Sequence, residues 1–479
     1  MLWIALFLPD LPLQAYTRGG DDPGLLAVVA AAPRPHVVAA TAAARACGVE
    51  AGLRVAGALA VAPDLELKPR ERRLEQETLE HLANWAGRFT PFVSVAADDA
   101  VVLEVSRCLR LAGGLTTLVH ALQEGVAGLG LTVQLAAAPT PLAACWLART
   151  RPGTLVSARE GWQRCLEPLP VELLAAEEST TNPDLDLLRG IGIHTLGALA
   201  RLPRDGLARR QGTRLLEALA RARGERPDPR LWYEPPERFE AHLALPAAVS
   251  TVEPLLFATR RLIAGLAGWL ARRHGAIDRF CLELEHERRP SAVVPIATGQ
   301  PCRDEERLLL LAREHLAVLP LTAPVIGLQL TADSVVTQAG RTQDLFGDAQ
   351  QARDAGTLLI ARLRARLGPD AVRSLDCRPE HRPELAWCAA EPQSRPEPAV
   401  GQATRQARRP LWLLAEPRAL PALDDLTPVS GPERIESGWW DARDVQRDYY
   451  VARNRDAALW WIFRRLDAPG GWYLHGYFG

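Results

Sequence analysis

Between residues 239 and 335 the apolar period switches repeatedly, reading strand (Phe239 to Leu245), helix (Val252 to His274), strand (Arg279 to Glu287), strand (Ala292 to Ile296), helix (Asp304 to Leu316) and strand (Pro324 to Ala332). A period of two marks one face of a sheet and a period of 3.6 marks one stripe of a helix. This βαββαβ order therefore predicts four strands with two helices on one face and the other face open. Such a unit absorbs only a fifth of the 479 residues. The rest must divide into further cores, three to four domains in all.

Residues 1–165 alternate strands and helices: strands at Trp3 to Leu8, Leu25 to Ala31, Val37 to Ala40 and Leu131 to Ala137, helices at Arg72 to Trp85 and Gly114 to Gly128. The pattern predicts an α/β region with a mixed sheet. Within it, Ala44 to Leu53 reads as a short helix ended by Gly48 with a turn at Gly52, and Val55 to Leu65 is small and apolar, which suits a compact helical insertion. Asp98 and Asp99 immediately precede the apolar run Ala100 to Val105. A sheet holds carboxylates at the mouth of a site in this way, and two-metal chemistry needs several of them converging on cations about 4 Å apart. Ala100 stands where one partner is expected. The competing reading is that the two acids simply cap a strand or turn.

The net charge of −1 supplies no global field for a polyanion, so any nucleic-acid contact must be local, and since Lys68 is the only lysine it must be made by arginine. Eight scattered cysteines without a C-x-x-C pair fit free thiols in a reducing cytoplasm. The apolar start, Leu2 to Leu8, lacks a basic n-region and is broken at Pro9-Asp10, so it reads as a buried strand. No run is long enough to span a membrane.

From 166 to 230 the pattern is helical. Leu187 to Gly197 reads as helix, a Gly190-Ile191-Gly192 hairpin and a second helix, a turn that can offer backbone N–H groups to a phosphate. Arg201 to Arg226 holds eight arginines against Asp205, Glu217 and Glu225, a balance of +5. DNA contact is therefore expected at Gly190, Gly192, Arg209 and Arg210, beside a four-stranded sheet suited to lying along a groove. After a polar segment with an exposed Leu345-Phe346 pair come a helix from Ala355 to Leu367 and a Pro/Arg/Glu-rich linker over 378–410. Seven of thirteen tryptophans lie from Trp387 onward and four of six tyrosines from Tyr449 onward, so the tail reads as a small β-rich module whose Trp439, Trp440, Tyr449 and Tyr450 are candidate partner anchors.

This order of parts resembles the Y-family translesion DNA polymerases. The resemblance implies a palm over 1–30 and 75–165, fingers over 31–74, a helical thumb over 166–230, a little finger over 238–335, a clamp-binding peptide over 336–350, a helix and linker over 351–410 and an interaction module over 411–479. Ala44-Arg45-Ala46-Cys47-Gly48-Val49-Glu50-Ala51-Gly52-Leu53 is similar to the fingers motif A-R-x-x-G-V-x-x-G-M, which makes Arg45 the remnant of a nucleotide-phosphate contact; Ala42 replaces the motif's tyrosine. Active members carry D-x-D-x-F-F on the first strand, where this chain has Phe7-Leu8-Pro9-Asp10, and S-x-D-E-A-Y-L-D-V where it has Ala97 to Val105, so Asp99 is kept and Ala100 replaces the catalytic Glu. The degenerate site is thus Phe7, Pro9, Asp99 and Ala100, with no catalytic residue and no metal or other cofactor expected.

Gly431 to Ile435, Gly438-Trp439-Trp440, Arg447 to Tyr450 and His475-Gly476 resemble the catalytically silent, ImuB-type branch of bacterial damage-induced mutagenesis. That resemblance implies an adaptor that binds primer-template DNA, the β sliding clamp, a RecA-like ImuA-type protein and an error-prone replicative-type polymerase α subunit. The branch's clamp peptide Q-x-[D/S]-L-F falls on Thr342, Gln343, Asp344, Leu345 and Phe346, with Thr342 in place of the Gln. The alternative is an active low-fidelity polymerase using Mg²⁺ on Asp10, Asp98, Asp99 and Glu104.

Overall fold

The computed structural model describes all residues except 21–23, 32, 97–98, 158–159, 178–187, 204–212, 334, 338–347, 379, 393–408, 442, 468–469 and 479. The chain forms two compact units, Met1–Arg366 and Leu367–Gly479.

The first unit begins with β1 (Trp3–Phe7), α1 (Leu11–Thr17), β2 (Leu26–Val29), β3 (Val37–Ala40), α2 (Ala42–Ala46), α3 (Val55–Val61), β4 (Glu66–Pro69), α4 (Arg72–Ala86), β5 (Val93–Ala96), β6 (Ala100–Glu104), α5 (Leu115–Gly128), β7 (Gln134–Ala138) and α6 (Pro141–Thr150). The main sheet has the order β5-β6-β1-β7. Its β1 is apolar on both faces because both are covered: Ile4 and Leu6 pack on Leu82, Trp85 and Leu122 of α4 and α5, while Trp3 and Ala5 pack on Leu142 and Trp146 of α6. All its pairings are antiparallel. The predicted mixed pairing occurs instead in a small sheet, β3-β2-β4, where β2 and β4 run parallel. The segment expected to be a helical insertion is thus α2 and α3 laid on three short strands, closed by Ala27, Val37, Ala44 and Ala58.

Next come α7 (Leu196–Ala200) and α8 (Thr213–Ala222), whose Leu196, Leu199, Leu215 and Leu219 join the α6 side of the main core. The βαββαβ unit follows as β8 (Phe239–Val249), α9 (Val252–Arg272), β9 (Gly275–His286), β10 (Ala292–Cys302), α10 (Glu305–Ala317) and β11 (Val325–Ala332), extended by β12 (Val335–Thr337) on β9. Its strand order is β10-β9-β11-β8. Over Leu262–Leu270 helix α9 is buried all round because it serves two cores: Leu262, Leu266 and Trp269 face its own sheet, and Ala264, Gly265 and Gly268 face α4. Arginines close this seam on backbone carbonyls, Arg18 Nη2 donating to His242 at 3.0 Å and Arg272 Nη2 to Tyr233 at 2.6 Å. Finally α11 (Asp348–Leu367) lies on α10, where Arg362 donates to Glu314 at 2.7 Å.

The second unit is a five-stranded antiparallel sheet, order β15-β19-β18-β17-β16, built from β15 (Trp412–Leu420), β16 (Thr427–Ser437), β17 (Val445–Arg453), β18 (Leu459–Arg465) and β19 (Trp472–Tyr477). A hairpin of β13 (Ser374–Cys377) and β14 (Trp387–Ala390) belongs to it. Between those strands Arg382, 3% exposed, is held by Glu380 and Asp441, each at 2.7 Å, and Glu384 pairs with Arg447 at 3.1 Å. The expectation of a linker starting at 378 is therefore corrected. Composition suggested a solvated tether, but these charges are spent on the sheet.

His475 is fully buried against Tyr449 and Trp461, its Nδ1 2.8 Å from the Tyr449 hydroxyl. Burial pushes its pKa from 6.5 down to about 4. The folded ring resists protonation and the unfolded ring does not, so folding is unopposed above pH 6.5 and is progressively penalised as pH falls toward 4. Urea unfolding of the second unit at pH 7.5 and 4.5 is expected to show this loss, with a shallower pH dependence in His475→Gln.

Candidate functional site

Strands β5 and β6 form a hairpin with Ala96 opposite Ala100, so Asp99 lies in the turn at one end of the main sheet. Phe7 pairs with Ala100, and the Leu8 N–H donates to the Asp99 carbonyl at 2.9 Å. Phe7, Asp99 and Ala100 therefore meet; Asp98 lies outside the described residues. What the sequence did not reveal is Arg149. It sits in the last turn of α6, a helix started by Pro141 and capped by the Thr140 hydroxyl accepting from Ala143 N–H. Its two terminal nitrogens bond the two carboxylate oxygens of Asp99, Nη1 at 2.8 Å, and its guanidinium lies 4.6 Å from the centre of the Phe7 ring. A bidentate fork on a carboxylate, stacked on an aromatic face, fixes both groups. Ala100 beneath is fully buried in the α6 core.

The other acids point elsewhere. Asp10 precedes α1 in a left-handed conformation, φ 53°, and pairs with Arg45 at 3.2 Å. The candidate phosphate-binding Arg45 is thus tied to a carboxylate. Glu104 pairs with Trp3 at the far end of β6, roughly 13 Å along the strand from Ala100, and accepts from the Ser106 N–H at 3.1 Å. Two cations about 4 Å apart cannot be shared across that distance. Among the described residues no three His, Cys, Asp or Glu are grouped to hold a metal ion.

The glycine turn is more specific than expected. Gly192 takes φ 84°, its N–H donates to Arg189 and that of Ile193 to Leu188, the paired bonds of a helix C-terminal cap. These two N–H groups are spent within the turn, so phosphate contact by them is corrected; Gly190 and Ile191 remain exposed at its tip. Arg209 and Arg210 lie outside the described residues. The open face of the βαββαβ sheet carries Glu240, Glu283 and Glu285 against Arg279, as the registers Glu240↔Thr331, Glu283↔Gln329 and Arg279↔Ala297 require. An acidic face does not suit a groove, and that expectation is corrected too.

Thr342, Gln343, Asp344, Leu345 and Phe346 also lie outside the described residues, directly before α11. In the second unit Trp439 and Trp440 are 81% and 56% exposed, packed edge to face, with Arg382 over Trp440. Tyr449 is 1% exposed, stacked 4.0 Å from Trp461, so it is core and cannot anchor a partner. Tyr450 is half-buried against Trp472.

The sheet and its hairpin thus bring Phe7, Asp99 and Ala100 together at one end, with Arg149 bonded to Asp99. Residues 22–149 match the impB/mucB/samB family. Over 469 residues the chain is 28% identical to Protein ImuB of Caulobacter vibrioides, covering 90% of this chain and all of that one. A 125-residue stretch is 30% identical to DNA polymerase IV of Serratia proteamaculans, covering 25% of this chain and 35% of the polymerase. The solved post-insertion binary complex of Dbh DNA polymerase matches 71% of this chain and all of its own at 18% identity, TM-score 0.39. The chain is thus similar over most of its length to an ImuB protein, and over a shorter stretch to a DNA polymerase IV. Among the described residues no helix is long and apolar enough to cross a membrane.

Proposed function

We propose that this protein is a non-catalytic adaptor of damage-induced translesion synthesis. The observation that carries the reading is the Arg149–Asp99 fork: the position where cations would bridge substrate and protein is occupied by the Arg149 guanidinium, bonded to Asp99 at the head of β6. Displacing it for a metal would strand a largely buried arginine. Primer extension by the isolated full-length protein, with Mg²⁺ or Mn²⁺, is expected to give no template-directed product. Incorporation that disappears in Asp99→Ala would support the active-polymerase alternative instead.

The remaining roles follow the ImuB-type reading. DNA is held through the arginine-rich thumb: Arg209→Ala/Arg210→Ala is expected to weaken primer-template binding for every sequence and to reduce the slope of log K against log salt by about 1.8, the value for two phosphate contacts. An unchanged slope would remove those residues from the interface. The clamp is met by Leu345 and Phe346, each contributing about 1.5–3 kcal/mol if fully buried. A peptide spanning Gly340 to Asp348 is expected to bind the clamp, Leu345→Ala/Phe346→Ala to abolish binding, and Thr342→Gln to strengthen it. The RecA-like ImuA-type protein and the error-prone polymerase are taken by the second unit, with Trp439 and Trp440 as anchors. The cut that separates this unit belongs near residue 367, because a cut at 405 would part Arg382 from Asp441.

A further inference from the structure

Between α4 and the open side of the βαββαβ sheet lies a cleft of about 720 Å³ that none of these roles uses. Its lining holds five glutamates against three arginines, a balance of −2. Three of the acids, Glu80 on one wall and Glu240 and Glu285 on the other, are at least partly exposed and have hydrogen bonds from Gln76, Gln329 and His242. The same cleft is lined by three polar side chains that are almost wholly buried: Arg18 and His81 at 4% exposure and Asn84 at 5%. Arg18 spends Nη2 on the His242 carbonyl, and its Nε and Nη1 find no partner among the described residues. His81 Nε2 lies 3.2 Å from the Arg261 carbonyl, which assigns the proton to that nitrogen and leaves Nδ1 as an acceptor; Nδ1 and Asn84 Oδ1 are likewise unmatched. Burial holds this ring neutral, its pKa pushed down to about 3.

Buried donors and acceptors left open together, beneath acidic walls, describe their complement. A nucleic acid would bring phosphates to a lining of the wrong sign. A polyamine would satisfy the carboxylates and leave the Arg18 donors unmet. A peptide group brings both a carbonyl for Arg18 and an N–H for Asn84, and basic side chains reach the carboxylates on either wall. We propose that this cleft seats an extended, arginine- or lysine-bearing segment of a protein partner. It places a second protein-docking surface on the first unit, independent of the aromatic tail and of the clamp peptide.

The test is fluorescence anisotropy on the full-length protein with a labelled (Arg-Gly)₄ peptide as probe, beside (Glu-Gly)₄, an (Arg-sarcosine)₄ analogue whose glycine N–H groups are methylated, and labelled primer-template DNA. Only the first is expected to bind well. Glu80→Gln/Glu240→Gln/Glu285→Gln is expected to weaken it about tenfold, the distal triple Glu124→Gln/Glu253→Gln/Glu306→Gln to leave it unchanged, and methylation to cost severalfold although the charge is kept. Equal losses in the two triples, equal binding of the methylated peptide, or a cleft triple that loses DNA and keeps the peptide would overturn the proposal.

Discussion

Tyr449→Ala is expected to destabilise the C-terminal unit by about 3–5 kcal/mol, a large part of what a domain of this size possesses. The ring is the centre of a stack formed by Trp461, Phe463 and His475, and its hydroxyl joins His475 to Arg447 at 3.0 Å. Truncation removes the packing and leaves a buried imidazole without its partner. In a melting experiment on the full chain the transition of this unit should fall by on the order of 15 °C. Trp439→Ala, at an 81% exposed position, should leave that transition within about 0.5 kcal/mol of wild type while impairing partner capture. Equal destabilisation by both would contradict the division into core and anchor aromatics.

Gly268→Val should be strongly destabilising to the first unit. A Cβ at Gly268 would lie 2.6 Å from the Trp85 Cα and 2.9 Å from its carbonyl oxygen, backbone atoms that cannot swing aside. One turn away, a Cβ at Gly265 would lie 2.2 Å from the His81 ring. Small residues on α9 are what allow it to approach α4 so closely, so relief requires the whole βαββαβ unit to move off the main sheet, at a cost of about 3 kcal/mol. Thermal unfolding and amide exchange of α4 check this. Gly356→Val, with open space around its Cβ, is the control and should have little effect beyond helix propensity.

The βαββαβ unit was legible because each of its elements buries one face only, so its period survives in the sequence. The main sheet was legible as strands but not as topology: β1 is apolar on both faces, which fits a parallel or an antiparallel neighbour equally well. Phe7, Asp99 and Ala100 were found through the resemblance of the first strand and of Ala97 to Val105 to the Y-family motifs. Arg149 was not, because its partner is fifty residues away and nothing distinguishes it from the other arginines until α6 folds back over Phe7. Tyr449 was misassigned for a related reason. A small sheet with clusters on both faces needs aromatic bulk in its own core, and adjacent residues on a strand point to opposite sides, so Tyr449 and Tyr450 never shared a role. The 380–391 segment read as linker since charge usually means solvent, whereas Glu380, Arg382 and Glu384 are matched one by one across to the sheet.

The most direct measurement is a Mn²⁺ titration of the full-length protein followed by electron paramagnetic resonance, with Asp99→Asn in parallel. With Arg149 bonded to Asp99 and Ala100 beside it, the two proteins should give the same isotherm, any weak surface sites being common to both. Mn²⁺ bound by the native chain and lost in Asp99→Asn would mean that the palm still assembles a metal site, and the adaptor reading would be wrong.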